Sequence, residues 1–150
     1  MWLLLEMSVV VHQISKHYAS QKAVAEISFR AVPGRILGFL GPNGAGKSTT
    51  MKMLTAYLSP TSGSAQVCGY DTQLQPLEVK RVIGYLPEHT PLYTDMYVKE
   101  FLAFAAEAYG LSAPKTHVDR VIALVGLQEE QHKKINMLSK GYKQRVGLAQ

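Results

Sequence analysis

Cysteine is almost missing from this sequence: Cys68 is the only one in 150 residues. That excludes an internal disulfide and a cysteine-ligated metal cluster, and makes a reduced, cytosolic setting the default. Cys68 itself is expected as a small buried side chain in a strand. A long apolar run is missing too. Met1 to Leu5 is apolar, but Glu6 ends the run well short of the roughly 20 residues a membrane span needs, and no basic segment precedes it. Any membrane role must therefore come through a partner. Strand-like sequence follows Met7 at once, so residues 1–7 are expected to be an upstream extension or a start-site artefact, with 8–150 the domain proper. Nor is there a block of one charge. The net charge is +5, but the 16 Lys and Arg are spread along the chain. This speaks against dedicated nucleic-acid binding and is compatible with a polyanionic ligand. His89, His117 and His132 lack metal-ligand spacing and read as exposed or capping residues.

What is present is ordinary globular composition, 47% hydrophobic and 18% charged, so disorder is not expected. Ser8–Ile14 and Ala25–Ala31 have the β-branched or alternating pattern of strands. Pro33-Gly34 turns the chain, and Arg35–Leu40 reads as a buried strand. A helix over Lys47–Tyr57 follows. Ser59–Ser64 is dense turn chemistry, Ala65–Cys68 a short strand closed by Gly69, and Val82–Leu86 a further apolar strand. The period then changes. Val98, Phe101, Leu102, Ala105 and Tyr109 share one helical face that stops at Gly110, and Val118, Val121, Ile122 and Val125 share another that stops at Gly126. Both stripes are read as core. The paired Glu129-Glu130 and Lys133-Lys134 read as a solvated face, and Tyr142–Gln150 as a helix without a C-cap. Strand–loop–helix order with later helices predicts an α/β class.

The chemistry gathers at Gly41-Pro42-Asn43-Gly44-Ala45-Gly46-Lys47-Ser48-Thr49, which fits the phosphate-binding pattern G-x-x-x-x-G-K-[ST] between an expected strand and an expected helix. Glycines let successive backbone N–H groups turn inward around an anion without a Cβ clash. The helix beginning at the lysine adds its positive dipole end. In this pattern Lys47 reaches the β and γ phosphates of a nucleotide, and Ser48 offers its hydroxyl to Mg²⁺.

A second motif narrows the class. Leu138-Ser139-Lys140-Gly141-Tyr142, followed by Lys143-Gln144-Arg145-Val146-Gly147-Leu148-Ala149-Gln150, resembles the signature of ATP-binding cassette (ABC) nucleotide-binding domains, an LSGGQ-type motif running into a basic-Gln-Arg helix. Lys140 and Tyr142 depart from that motif. Pro60-Thr61-Ser62-Gly63, with Val67-x-Gly69-Tyr70-Asp71, is similar to the strand pair that follows the phosphate-loop helix in this family. The interval from Gly41 to Leu138 suits a compact transporter-type ATPase and leaves no room for the long coiled-coil insertion of chromosome-maintenance relatives. Ile83–Tyr93, with Leu86-Pro87-Glu88, resembles ATP-binding subunits of multidrug- and gliding-motility-type ABC exporters. The likeness covers essentially all of residues 8–150. It implies a P-loop NTPase core of ABC type, an antiparallel β subdomain and the start of a helical subdomain, truncated.

The resemblance also implies roles. Tyr18 stands where the family places an aromatic that stacks on adenine. Asn43, Gly44, Ala45, Gly46, Lys47, Ser48 and Thr49 stand at the phosphate-contacting positions. Glu88 stands at the Q-loop glutamine position, where a carboxylate can hold Mg²⁺ directly, through water, or only couple to the partner. Lys47 and Glu88 are the expected catalytic residues, and Ser48 and Glu88 the expected Mg²⁺ contacts. Ser139 and Gly141 are expected to meet the γ-phosphate of ATP held by a second copy. Lys140 offers partial electrostatic compensation there. The cofactors implied are ATP and Mg²⁺. The partners implied are a membrane-spanning transporter subunit and a second ATP-binding subunit, with the chain at the inner face of the cell membrane.

Three parts of the family pattern do not occur in residues 1–150: the apolar Walker B strand ending in Asp with the Glu after it, the D-loop, and the later switch histidine. Without the water-polarising carboxylate this stretch is expected to bind ATP at best, and to be marginally stable with an unpaired apolar edge. Three readings stay open: the ATPase subunit of an exporter, a soluble non-transport ABC ATPase, and an inactive truncated cassette.

Overall fold

The computed structural model describes residues 8–150. The reading of residues 1–7 as an extension falls outside that range. The chain divides into two compact units, the first reaching Tyr85 and the second spanning Leu86–Gln150.

The first unit is built on a four-stranded antiparallel sheet of order β2-β1-β3-β4. β1 spans Val9–Tyr18, β2 Gln21–Ala31, β3 Ser62–Val67 and β4 Tyr70–Asp71. β1 and β2 form a hairpin in register from Val9 opposite Ala31 to Tyr18 opposite Gln21. Bulges interrupt it. Gln13 and Glu26 take positive φ, and serines satisfy the displaced amides: Gln13 N donates to Ser28 Oγ at 2.8 Å and Glu26 N to Ser15 Oγ at 2.9 Å. β3 returns to the free edge of β1, and β4 closes a short hairpin, Val67 opposite Tyr70, as the Val67-x-Gly69-Tyr70 pattern suggested. Two helices complete the unit, α1 over Lys47–Leu54 and α2 over Pro76–Val82. The core lies between sheet and α1: Val11, Ile14, Val24, Met53, Leu54 and Ala65 bury together.

Several expectations need correction here. Arg35–Leu40 and Val82–Leu86 join no ladder among the described residues. A strand requires a hydrogen-bonded neighbour as well as apolar side chains. With none beside them, Ile36 is 103% and Leu40 92% exposed, rather than buried as their sequence suggests. Cys68 is also exposed. Cys68, itself at φ 49°, forms the β3–β4 turn with Gly69, so its side chain has no sheet face to enter. The helix α2 occupies a stretch whose sequence pattern suggested none. Its Pro76 start, Glu78 in the first turn and Lys80 and Arg81 in the last are helix-favouring, but only Val79 is buried.

The second unit is helical: α3 over Val98–Ala108, α4 over Pro114–Leu124, a 3-10 turn at Ile135–Met137, and α5 over Lys140–Ala149. Its core joins Val98, Phe101, Leu102 and Ala106 to Val118, Ile122, Leu127, Ile135, Leu138 and Val146. The two predicted stripes supply most of the packing faces, but Ala105 and Tyr109 stand outside the core. Ala106 is buried and Tyr109 is 75% exposed, because α3 ends at Ala108 and Gly110 turns away at φ 68°. The Glu129–Lys134 stretch does more than face solvent. Its backbone caps α3, as Val98 N donates to Lys133 O at 3.1 Å and Lys99 N to Gln131 O at 3.0 Å. On its surface Lys133 pairs with Glu130 at 2.8 Å, and the hydrogen bond to that carboxylate, then its charge, raises the Lys133 pKa.

Candidate nucleotide-binding site

The loop Gly41–Gly46 leads directly into α1. Gly46 is the residue before the helix, at φ 83°. Its conformation and its surroundings both demand glycine. A Cβ there would strike the Ala23 carbonyl and lie 2.8 Å from Val24 Cγ2 on β2. The sheet therefore presses on the loop from behind. Gly44 is also left-handed, φ 82°, but stands in open space.

This geometry suits an anion. Among the described residues, the amides of Lys47, Ser48 and Thr49 have no carbonyl partner, and the first helical bond is Thr50 N to Gly46 O at 2.8 Å. Three free N–H groups at the positive end of a helix, with the exposed Ser48 hydroxyl beside them, form a phosphate cradle. Thr50 is buried, and its Oγ1 donates to Gly46 O at 3.0 Å, fixing the first turn. Lys47 folds over the loop, its Nζ donating to Gly41 O at 2.6 Å and Pro42 O at 2.7 Å. In this conformation the ammonium is satisfied by the loop's own carbonyls. A cavity of about 340 Å³ adjoins the loop at Gly44, Ala45 and Thr50 and is walled by Lys22–Ala25, Ile27 and Phe39. The residues present fit a phosphate-bearing ligand, with free amides and the exposed Ser48 hydroxyl together at the start of α1.

Tyr18 stands at the end of β1, paired with Gln21, one residue before that cavity wall begins. Tyr18 is half exposed. Lys16 was not legible as a site residue, yet its Nζ lies 5.6 Å from the Tyr18 ring centroid. The i, i+2 spacing on a strand, which puts both side chains on one face, was the available signal.

The second unit holds the other candidates. Ser139 is the N-cap of α5, with its Oγ accepting from Tyr142 N at a long 3.4 Å. Gly141 is exposed, and a Cβ there would meet nothing nearer than Ser139 Oγ at 4.0 Å. The start of α5 is therefore open to an approaching anion. Arg145, part of the signature helix but given no role from the sequence, anchors this helix. Its Nη1 donates to Val125 O and Gly126 O, each at 3.3 Å, at the end of α4, and the guanidinium lies 5.3 Å from the Tyr142 ring centroid. α5 also packs on the segment after Leu86, where a Cβ at Gly147 would lie 2.7 Å from Thr90 Oγ1. Glu88 and Lys140, two of the positions that differ from the family pattern, line one cleft of about 580 Å³ with Lys143 and Gln144. Tyr18 and Asn43–Thr49 thus belong to the first unit, and Glu88, Ser139 and Gly141 to the second.

A glycine-rich loop on the amino end of a helix, backed by an antiparallel sheet and followed by a helical unit with a capped signature turn, defines a P-loop NTPase of ABC type. Residues 24–150 match the family model described as ABC transporter, and the chain belongs to that family. It is 42% identical over 142 residues to the uncharacterized ABC transporter ATP-binding protein YxlF of Bacillus subtilis (strain 168), covering 93% of this chain and 46% of that protein. It is 38% identical over 136 residues to the bacitracin transport ATP-binding protein BcrA of Bacillus licheniformis, covering 91% and 44%. The chain thus spans about half the length of these relatives. Among solved structures, cbiO1 from Clostridium perfringens, part of the ABC transporter complex cbiONQ, superposes with a TM-score of 0.82 over 96% of this chain and 60% of that one. At 23% identity this likeness concerns the fold alone. No helix among the described residues is long and apolar enough to cross a membrane.

Proposed function

We propose that this chain carries the ATP-binding half of an ABC exporter's cytoplasmic ATPase, of the multidrug and gliding-motility type. It works as a pair of copies beneath a membrane-spanning subunit. The observation that carries the reading is the cradle: three unpartnered amides at Lys47–Thr49, on a helix whose preceding glycine is locked against β2. In this reading Gly44, Ala45 and Gly46 wrap the phosphates, Asn43 and Thr49 flank them, Lys47 contacts the β and γ oxygens, and Ser48 meets Mg²⁺. Tyr18 stacks on the base. Ser139 and Gly141 contact the γ-phosphate of ATP bound to the second copy, and Glu88 responds to the metal-bound end of the nucleotide or to the membrane partner. A relative named for bacitracin transport supports the transport reading.

ATP binding draws two copies together, and hydrolysis releases them. The catalytic step needs a carboxylate that polarises the attacking water, and no residue of 8–150 has that place in the family pattern. This stretch is therefore proposed to bind Mg-ATP without turning it over. Titration calorimetry with Mg-ATP on the wild-type chain and Lys47→Ala, with phosphate release assayed on both, tests this. Binding is expected in the wild type, lost in Lys47→Ala, with no release above background. Turnover that depends on Lys47 would contradict the account of hydrolysis, and absence of binding the account of the cradle.

A further inference from the structure

The end of β1 is gripped by the turn that follows α1, and the grip centres on a lysine. Lys16 Nζ donates to Ser59 O at 2.7 Å. On either side of it, Thr61 N donates to Ser15 O at 2.8 Å, and His17 N donates to Thr61 Oγ1 at 3.1 Å. Gly63, at φ 80°, lets this turn lie against β1 so closely that a Cβ would strike the carbonyls of His12 and Gln13. The tethered ammonium then sits 5.6 Å from the centroid of the Tyr18 ring.

We propose that Lys16 is a positioning residue for the nucleotide base: bonded to Ser59 O and set over Tyr18, it fixes the ring and leaves one of its faces for stacking. This rests on the reading of Tyr18 as the base platform. A free tyrosine at a hairpin end rotates about two side-chain bonds, and a base that stacks on it must first stop that rotation. An ammonium over one ring face, itself held by a backbone carbonyl, stops it beforehand. The Ser59–Gly63 turn thereby acts on the base through Lys16, while the phosphates are left to Lys47 and the helix end. Stacking tolerates any base, so the effect extends to other nucleotides as well.

The distinguishing probe is a ligand with phosphates and no base. The wild-type chain, Lys16→Met, Lys16→Arg and Tyr18→Ala are titrated with Mg-ATP and with Mg-tripolyphosphate, with thermal melts confirming folding. Tyr18→Ala is expected to weaken ATP roughly fivefold to a hundredfold. Lys16→Met should weaken ATP about threefold to tenfold and leave tripolyphosphate within about twofold. Lys16→Arg should restore ATP binding, because a guanidinium both bonds a carbonyl and stacks on an aromatic face. Equal losses for ATP and tripolyphosphate in Lys16→Met would overturn the proposal, showing a general phosphate-attracting charge. No loss in Lys16→Met, with a loss in Tyr18→Ala, would overturn it while sparing the platform. No loss in Tyr18→Ala would overturn the platform and the proposal together. A wild-type chain that binds neither ligand would overturn the nucleotide-binding reading as well.

Discussion

At the scale of single residues, Gly44 and Gly46 separate two demands that one motif hides. Both have left-handed backbone, φ 82° and 83°, but only Gly46 is pressed against a neighbouring strand. Gly44→Ala meets the strain of a side chain in that region alone, about 1–2 kcal/mol. Gly46→Ala meets the same strain plus a collision with the Ala23 carbonyl, and should cost about 3 kcal/mol or more. Urea unfolding of the two variants measures the difference, and equal costs would show that α1 shifts freely away from β2. These demands were legible as a motif, since the pattern Gly-x-x-x-x-Gly-Lys-Ser already implies tight backbone. Which glycine faces the sheet was not legible, because Ala23 lies far off in sequence and only the fold brings it there. Lys16 was hidden in part for a similar reason: its neighbour Tyr18 is close along β1, but the carbonyl that tethers it is not. Its partners, Tyr18 and Ser59 O, lie one on each side of the phosphate loop.

At the scale of elements, the sequence reports periodicity well and partnership poorly. α3, α4 and α5 have clear stripes or motif starts, and their boundaries lie within a few residues of expectation. Arg35–Leu40 and Val82–Leu86 have strand composition but no ladder, since pairing depends on what lies beside a segment. α2 buries a single valine and gives no stripe to read. Capping shows how tertiary structure adds to a local signal. Glu100 Oε2 accepts from Tyr97 N at 3.1 Å, the half of a capping box present here, while Lys133 and Gln131 carbonyls take the next two amides. Glu100→Ala should therefore cost only about 0.5–1 kcal/mol, read as a shift in urea midpoint, because two of the orphan amides remain satisfied. A loss several times larger would mean that the Gln131–Lys133 segment depends on that carboxylate for its own placement.

At the scale of the whole molecule, the exposed apolar stretches set the solution behaviour. Ile36, Leu37, Leu40, Val82, Tyr85 and Leu86 all stand open to solvent. Extended apolar backbone without a partner invites edge-to-edge association. The 150-residue chain is expected to bind the dye ANS and to scatter light increasingly with concentration, with Ile36→Lys reducing both. A monodisperse monomer that binds no dye would contradict this. The order β2-β1-β3-β4 carries a different consequence, one of timing. As the chain leaves the ribosome, the first hairpin can close once Ala31 has emerged. The second edge of β1 waits for Ser62–Val67, and everything between, the phosphate loop included, is synthesised inside that still-open loop. On this order of synthesis the back wall of the candidate site can form before the loop that lies against it, and the second edge of β1 is filled only after both.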